Sequence, residues 1–396
     1  MIKVLATGII ENNFGYPSIL HGLQEVLKEL YGDDFKLIYY QTTPFNKDVL
    51  SDFDIKMRTV PFSLKALPYR SLTDETTKEF INDVKESDMI VDLKGICFRD
   101  DQYKNKFSLK QSLFSSISVL NSFRFLTVGK IFRKKTVKNT CSFGPMKKKT
   151  NRKSAAFACN HLFDVVSARE INSRNALIDD AKVDKGVLLS PDIANMMRFE
   201  KSESSQEEII GVSVSHKING KWDGEESYID CIIGLCAHID DKYKLPIIII
   251  PNETSPLTDV DDVSISTTMQ ELLKERGVGV DILDSENMSS TELKNVIASC
   301  EVVVSSRYHS CVAALSSGVP TLVIGWHHKY DELLQLYGQE EWGISTEDCT
   351  EERLIRIFDS FWENRQISRN TVSEKFADVR KAVLTTSEEL FSLKGE

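Results

Sequence analysis

Residues 301–338 read EVVVSSRYHSCVAALSSGVPTLVIGWHHKYDELLQLYG. Glu301–Val304 has the pattern of a short apolar strand. Ser305-Ser306 can cap a helix that begins near Tyr308; Ala313, Ala314 and Leu315 continue it, and Gly318 stops it. Thr321–Ile324 is the next buried strand. Arg307 and His309 therefore sit where a strand ends and a helix begins. Such a junction presents free backbone N–H groups and the positive end of a helix dipole. Lys329 follows the next strand, so a parallel sheet brings it to the same edge. Arg, His and Lys around one helix N-terminus suit a phosphate or a carboxylate.

Outward from this stretch, strands and helices alternate. Strands are expected at Lys3–Thr7, Phe35–Tyr40, Met89–Leu93, Asn139–Phe143, Asp164–Ala168, Ile209–Ser215, Pro246–Ile250 and Val280–Leu283. Helices are expected at Ser18–Leu30, Thr76–Glu86, Glu170–Asp179, Tyr228–Ile239, Thr268–Arg276 and Thr291–Ser299, with a mostly helical end from Glu351 to Leu393. Alternation of this kind implies an α/β fold of doubly wound parallel sheets. The 396 residues exceed one ordinary core. The polar run Arg198–Glu208 is the best linker, dividing the chain into Rossmann-like domains over 1–197 and 209–396 that face a cleft.

Composition is that of a soluble globular protein, 41% hydrophobic and 27% charged. The eight cysteines form no CxxC pair and several fall in apolar elements, which reads as buried, reduced thiols of a cytosolic protein. The start Met1-Ile2-Lys3-Val4-Leu5-Ala6 is a first strand without the form of a signal peptide, so a cytoplasmic location is expected. The net charge of −10 conceals an asymmetry: Gln102–Lys153 holds 14 Lys/Arg and no Asp or Glu. Apolar residues such as Phe114, Phe123 and Phe132 are interleaved with them. An anionic membrane at the inner face of the cell, or an anionic acceptor, would suit this segment; a solvated cationic face, or one covered by acids such as Asp259–Asp262, is the alternative. Nucleic acid is not expected, since the overall balance is acidic and no recognition motif occurs. His327-His328 cannot both reach one metal from a regular strand, and no metal site is expected.

Further motifs stand in order along the chain: Asn13-Phe14-Gly15 with Ile19-Leu20, Ser142-Phe143-Gly144-Pro145, Ser167-Ala168-Arg169-Glu170 with Ser173, Pro191-Asp192, then Arg307, His309, Gly318, Pro320 and Lys329. Together they resemble the polysaccharide pyruvyl transferase family, with its Asn-x-Gly-Asp loop, Ser-x-Gly-Pro turn, Arg-Glu/Asp…Ser helix start, Pro-Asp, Arg-x-His, Gly-x-Pro and downstream Lys. Tyr16 stands where the family has Asp, and Val91-Asp92-Leu93-Lys94-Gly95 lacks the usual Gly-Gly. The resemblance implies a GT-B-like fold and transfer of pyruvate from phosphoenolpyruvate to a sugar of a polysaccharide or its lipid-linked precursor, with no further cofactor.

On that reading Arg169, Arg307 and Lys329 clamp the donor, and His309 with Asp92 manages protons. Asn12 and Asn13 bind acceptor hydroxyls. Each residue has a plainer alternative. Arg307 can be a structural salt bridge, His309 a capping or packing residue, Lys329 a surface lysine and Arg169 a partner of Glu170 or Asp164. Asp92 and Lys94 can simply cap a turn, and Asp192 can start one. Two rival functions stand beside the first: a GT-B glycosyltransferase using a nucleotide sugar, and a non-catalytic binding protein on the same fold.

Overall fold

A computed structural model describes residues 1–8, 13–41, 53, 56–59, 74–100, 123–200, 208–219, 222, 226–254 and 261–393. The first sheet holds β1 (Ile2–Gly8), β2 (Phe35–Gln41), β3 (Lys56–Thr59), β4 (Met89–Asp92), β5 (Ile96–Cys97), β6 (Lys135–Phe143), β7 (Val165–Ala168) and β8 (Val187–Leu189). Its order is β3-β2-β1-β4-β6-β7-β8, with β5 beside β6. The second holds β9 (Ile210–Ser213), β10 (Ile247–Ile249), β11 (Asp281–Ile282), β12 (Val302–Ser305), β13 (Thr321–Gly325) and β14 (Gly343–Ser345), in the order β11-β10-β9-β12-β13-β14. The named pairings within both sheets are parallel, with Val4 opposite Met89 and Val302 opposite Ile210.

Both sheets reverse direction of travel once, between β1 and β4 and between β9 and β12. In open parallel sheets the crevice for a ligand opens at such reversals, beyond the carboxyl ends of the strands. The two crevices face each other. Their walls are joined by a short bridge between Asn13 and Glu253, and Phe14 N donates to Asn252 O at 3.1 Å.

The strands are buried because helices cover both faces, and their apolar runs follow from that. Val302–Val304 and Leu322–Ile324 are at most 1% exposed. One apolar cluster belongs to both domains: Leu20, Leu23, Ile193 and Met196 of the first pack with Tyr308, Cys311, Val312 and Leu315 of the second. Each such side chain contributes about 1.5–3 kcal/mol by burial. Lys294, 1% exposed, lies at this boundary and donates to Met197 O at 2.6 Å and Ser316 Oγ at 2.9 Å.

The expected end of the chain is one helix of 41 residues, Glu351–Phe391. Thr350 Oγ1 accepts from Arg353 N at its start. Leu354, Phe358, Phe361 and Trp362 pack into the second domain's core, while Val372, Val379, Val383, Leu390 and Phe391 join the shared cluster. Tyr31 Oη donates to Phe391 O at 2.7 Å, so the helix returns to the first domain.

The expected elements are present with shifted ends. Glu170–Asp179 differs most: it is a five-residue α-helical turn, Ile171–Asn175, followed by a wider π turn, Ala176–Asp180. β3, β8 and β14 have three or four residues each, too few for a period to be read. Residues 201–207 of the expected linker and 102–122 of the basic run lie outside the described residues. All eight cysteines are free and buried. Among the described residues no helix is long and apolar enough to cross a membrane.

Candidate active site

The crevice between the domains is a cavity of about 480 Å³ whose walls include Asn13, Tyr16, Arg99, Arg169, Arg307, Tyr308, His309, Trp326 and Lys329. Its second-domain floor is built by the end of β12. Ser305 Oγ accepts from Arg307 N at 3.0 Å, turning the chain into helix Tyr308–Leu315. Arg307 then reaches sideways. Its guanidinium ion-pairs with Asp262 and with Glu253, the latter at 2.7 Å. Asp262 opens helix Asp262–Glu275 and is wholly buried. It also accepts from the backbone N–H groups of His216 and Glu253, at 3.0 and 2.9 Å. Burial disfavours both charges, but each outweighs the penalty of the other: Asp262 is held below the usual carboxylate range and Arg307 above its ordinary value.

His309 comes two residues after Arg307, in the first turn of helix Tyr308–Leu315, and meets the first domain. A methyl group at Gly15 would lie 2.4 Å from its Nδ1, so only glycine lets the ring in. On the other side Nε2 stands 3.6 Å from Asp192 Oδ2. Burial lowers the imidazole pKa; Asp192 opposes this, while Arg169 and Lys329 add to it. Asp192 is 1% exposed and ion-pairs with Arg169, whose Nε also donates to Glu170 at 2.7 Å. Burial alone would raise the Asp192 carboxyl, yet Arg169 and His309 hold it well below the usual range. Ser142 Oγ and Ser173 Oγ both donate to Glu170, at 2.5 and 2.6 Å. Three motifs of the first half therefore form one network, and Gly144, at φ +79°, makes the turn beside it.

Lys329 differs from both arginines. It is 7% exposed, and among the described residues no carboxylate pairs with it. Its Nζ lies instead 5.0–5.2 Å from the ring centroids of Tyr308, Trp326 and Tyr330. Burial, with Arg169 nearby, pushes the ammonium down to about 7. Among the described residues Lys329 is thus a cation of the site that no carboxylate pairs with, whereas Arg169 and Arg307 already carry two carboxylates each.

The structure thus gathers Asn13, Arg169, Arg307, His309 and Lys329 on one cavity, and the salt-bridge alternatives for Arg307 and Arg169 are realised at the same time. Arg169 pairs with Glu170 and Asp192, not with Asp164. Asn13 Oδ1 accepts from Gly15 N at 3.0 Å and so fixes the loop that admits His309. Asn12 lies outside the described residues. Asp92 is a correction. It does not face the cleft: it is 2% exposed and ion-pairs at 2.6 Å with Lys138, itself wholly buried. Lys138 also donates to Lys94 O at 2.6 Å, so the pair braces the segment after β4 from below. A carboxylate so held acts as a brace, and Asp92 is not among the residues that line the cavity. Asp262 does not cover the basic run, since its partner is Arg307. Glu253, Asp262, Arg99 and the Tyr308/Trp326 rings were not singled out from sequence. An aromatic just before a paired His and Lys, Trp326-His327-His328-Lys329, was the available signal for the rings. The acids lie 45 and 54 residues from Arg307 and gave none. Among the described residues no group of His, Cys, Asp and Glu is arranged to hold a metal ion.

Residues 13–328 match the family model for polysaccharide pyruvyl transferase. The chain belongs to the polysaccharide pyruvyl transferase family. That family is one of transferases, and the match takes in the residues that line the cavity from Asn13 to Trp326, ending just before Lys329 and Tyr330. No curated protein matches the chain in sequence. Among solved structures it is similar to HepE of Anabaena, solved in complex with UDP and glucose, at 14% identity and TM-score 0.60, with 99% of this chain and 100% of that one covered. It is similar to a glycosyltransferase from Rickettsia africae at 12% identity and TM-score 0.57, covering 100% and 99%. It is also similar to UDP-GlcNAc 2-epimerase from Methanocaldococcus jannaschii at 10% identity and TM-score 0.53, covering 91% and 92%. At these identities the likeness is one of fold: two facing parallel-sheet domains of the GT-B kind.

Proposed function

We propose that this enzyme transfers pyruvate from phosphoenolpyruvate to two hydroxyls of one sugar in a polysaccharide or its lipid-linked precursor, forming a ketal and releasing phosphate. The observation that carries the reading is the placement of Lys329, buried and without a carboxylate partner among the described residues, beside Arg169, Arg307 and His309 in one cavity of a pyruvyl transferase family member, where a small anionic donor would sit. Lys329 supplies net positive charge to the donor. Arg307 and Arg169, locked by their carboxylates, offer directed N–H groups and rigid walls more than free charge.

The reaction requires a proton at the methylene carbon, which leaves a cationic centre at C2. His309 is the group placed to deliver that proton. One sugar hydroxyl bonds to C2 and returns a proton to His309; the C2–phosphate bond then breaks, and the second hydroxyl closes the ketal as its proton leaves with phosphate. The donor's negative charge favours the imidazolium in the loaded site, which offsets the effect of burial. Asn13, which lines the cavity from the first domain, would meet the acceptor.

Phosphate release from phosphoenolpyruvate in the presence of a glycan acceptor, with the ketal methyl observed by NMR, tests the reading. Sugar transfer from a nucleotide sugar with release of the nucleoside diphosphate, and no phosphate release from phosphoenolpyruvate, would overturn it in favour of a glycosyltransferase.

A further inference from the structure

The described part of the basic run does not form one face. It divides at β6. Lys130, Arg133 and Lys134 lie where β6 begins, at the edge of the sheet away from the cleft. Lys147, Lys148, Lys149, Arg152 and Lys153 follow its carboxyl end, at the edge where the cleft opens. The second group is tied directly to the cavity wall. Asn151 Nδ2 donates to Arg99 O at 3.2 Å, and Arg99 lines the cavity. Asp100, the next residue, accepts from Lys147 N at 2.6 Å and Lys148 N at 3.2 Å, and from Asn151 Nδ2 at 2.8 Å.

Asp100 therefore spends its carboxylate on the backbone and on Asn151. The side chains of Lys147, Lys149 and Lys153 are exposed, and among the described residues none pairs with a carboxylate. Their placement works against the local fold. Lys149 and Lys153 are like charges one turn apart on helix Lys149–Phe157, and Lys147 and Lys149 crowd its amino-terminal end. Like charges at this spacing, and cations at that end, each weaken the helix. An anionic partner would offset this. A bilayer is a poor fit, because it calls for apolar side chains beside the cations. The exposed large apolar residue in the described part of the run is Ile131, 67% exposed, and it stands at the opposite edge.

We propose that Lys147, Lys149 and Lys153 form a rim subsite for an anionic acceptor: a glycan that carries phosphate or carboxylate groups on units next to the sugar that enters the cleft. The proposal deepens the pyruvyl transfer reading and rests on it for the word acceptor. A chain lying across the rim passes over Arg99 into the cavity, so its charge sets which polymer is held and its neutral sugar reaches His309. The source of the charge, phosphate or carboxylate, is left to the probes.

The test uses the full chain and four probes: poly(glycerol phosphate), polygalacturonate, neutral dextran and phosphatidylglycerol vesicles. Binding is measured by calorimetry at low and at about 0.5 M salt, where exposed charges are screened within a few ångströms. Wild type should bind at least one of the two polyanions, which names the charge, bind dextran not at all, and lose the polyanion at high salt. The triple variant Lys147→Ser/Lys149→Ser/Lys153→Ser should bind at least tenfold more weakly at a melting temperature no lower than that of wild type. The charge-matched control Lys36→Ser/Arg133→Ser/Lys134→Ser, at the far edge, should stay within threefold of wild type. Equal losses in both triples would mean unspecific charge and would overturn the subsite. So would wild type that fails to tell the polyanions from dextran, or that binds vesicles and neither polyanion. None of these readouts needs donor turnover. A rim that binds as expected in a protein inert toward phosphoenolpyruvate would therefore sink the transfer reading and leave the subsite standing.

Discussion

Asp192 Oδ2 lies 3.6 Å from His309 Nε2, and the two residues come from different domains. The histidine's protonation is therefore tied to how the domains meet. If His309 donates a proton, turnover falls as pH rises through its pKa in the loaded enzyme. Asp192→Asn removes the nearby charge that favours the imidazolium, so this limb should move to lower pH. His309→Asn should lower turnover by roughly 10²–10⁴ while donor binding stays within a few fold. An unmoved limb in Asp192→Asn, read from kcat against pH, would break the link.

Gly15 offers a second handle on the same ring. Gly15→Ala places a methyl 2.4 Å from His309 Nδ1, and the ring must move. A displacement of about 1 Å can cost on the order of 100-fold in rate. We expect a loss of roughly that size in kcat with donor affinity nearly preserved. A Gly15→Ala enzyme with wild-type kcat would show that the ring has room to spare.

Donor affinity should respond most to Lys329. Lys329→Met keeps the aromatic packing and removes the charge, and should weaken phosphoenolpyruvate binding by ~10–100-fold in calorimetry. Arg307→Ala is a different experiment. It strands the buried Asp262, and breaking a buried pair from one side costs about 3–5 kcal/mol of stability. Its melting temperature should drop clearly, whereas that of Lys329→Met should not; the reverse order would misassign the two cations.

Asp92→Asn separates a brace from a base. The change leaves Lys138 buried without its counter-ion, so urea unfolding should show a loss of about 3–5 kcal/mol. Specific activity of the folded fraction at low temperature should stay within a few fold. A stable but inactive variant would return Asp92 to the chemistry.

Buried Lys294 makes stability depend on alkaline pH. Burial, with Arg380 adding to it, pushes its ammonium down to about 7 from an ordinary 10.5. Between these values the unfolded chain holds a proton that the folded chain lacks, so stability rises with pH across that window and the gain is lost below about 7. Lys294→Met removes this contribution. Under reducing conditions its unfolding free energy should rise less steeply with pH than that of wild type, by up to about 1.4 kcal/mol per pH unit. Parallel slopes would mean that the lysine keeps its proton in the fold.

Much of this site was legible because its parts share one edge of a sheet. A strand, two serines, Arg307 and a helix announce a strand-to-helix junction, and a parallel neighbour brings Lys329 back to it. The carboxylates were not legible. Glu253 and Asp262 meet Arg307 only through the register of β9, β10 and β12, which a linear reading does not supply. Asp92 misled for a related reason. A carboxylate at a strand end points into the crevice or into the sheet according to its neighbour, and here Lys138 on β6 holds it inside. Lys36, Arg133 and the cleft-side lysines read alike as charge, and only the direction of β6 tells one edge from the other.

Helix Glu351–Phe391 is about 60 Å long at 1.5 Å per residue. It gives the two domains a second covalent tie besides the stretch after Met197, beside the apolar cluster they share and the bridge between Asn13 and Glu253. Any opening of the crevice must part that bridge, so the separation of Asn13 and Glu253 is the distance that an inter-domain measurement would follow as substrate enters.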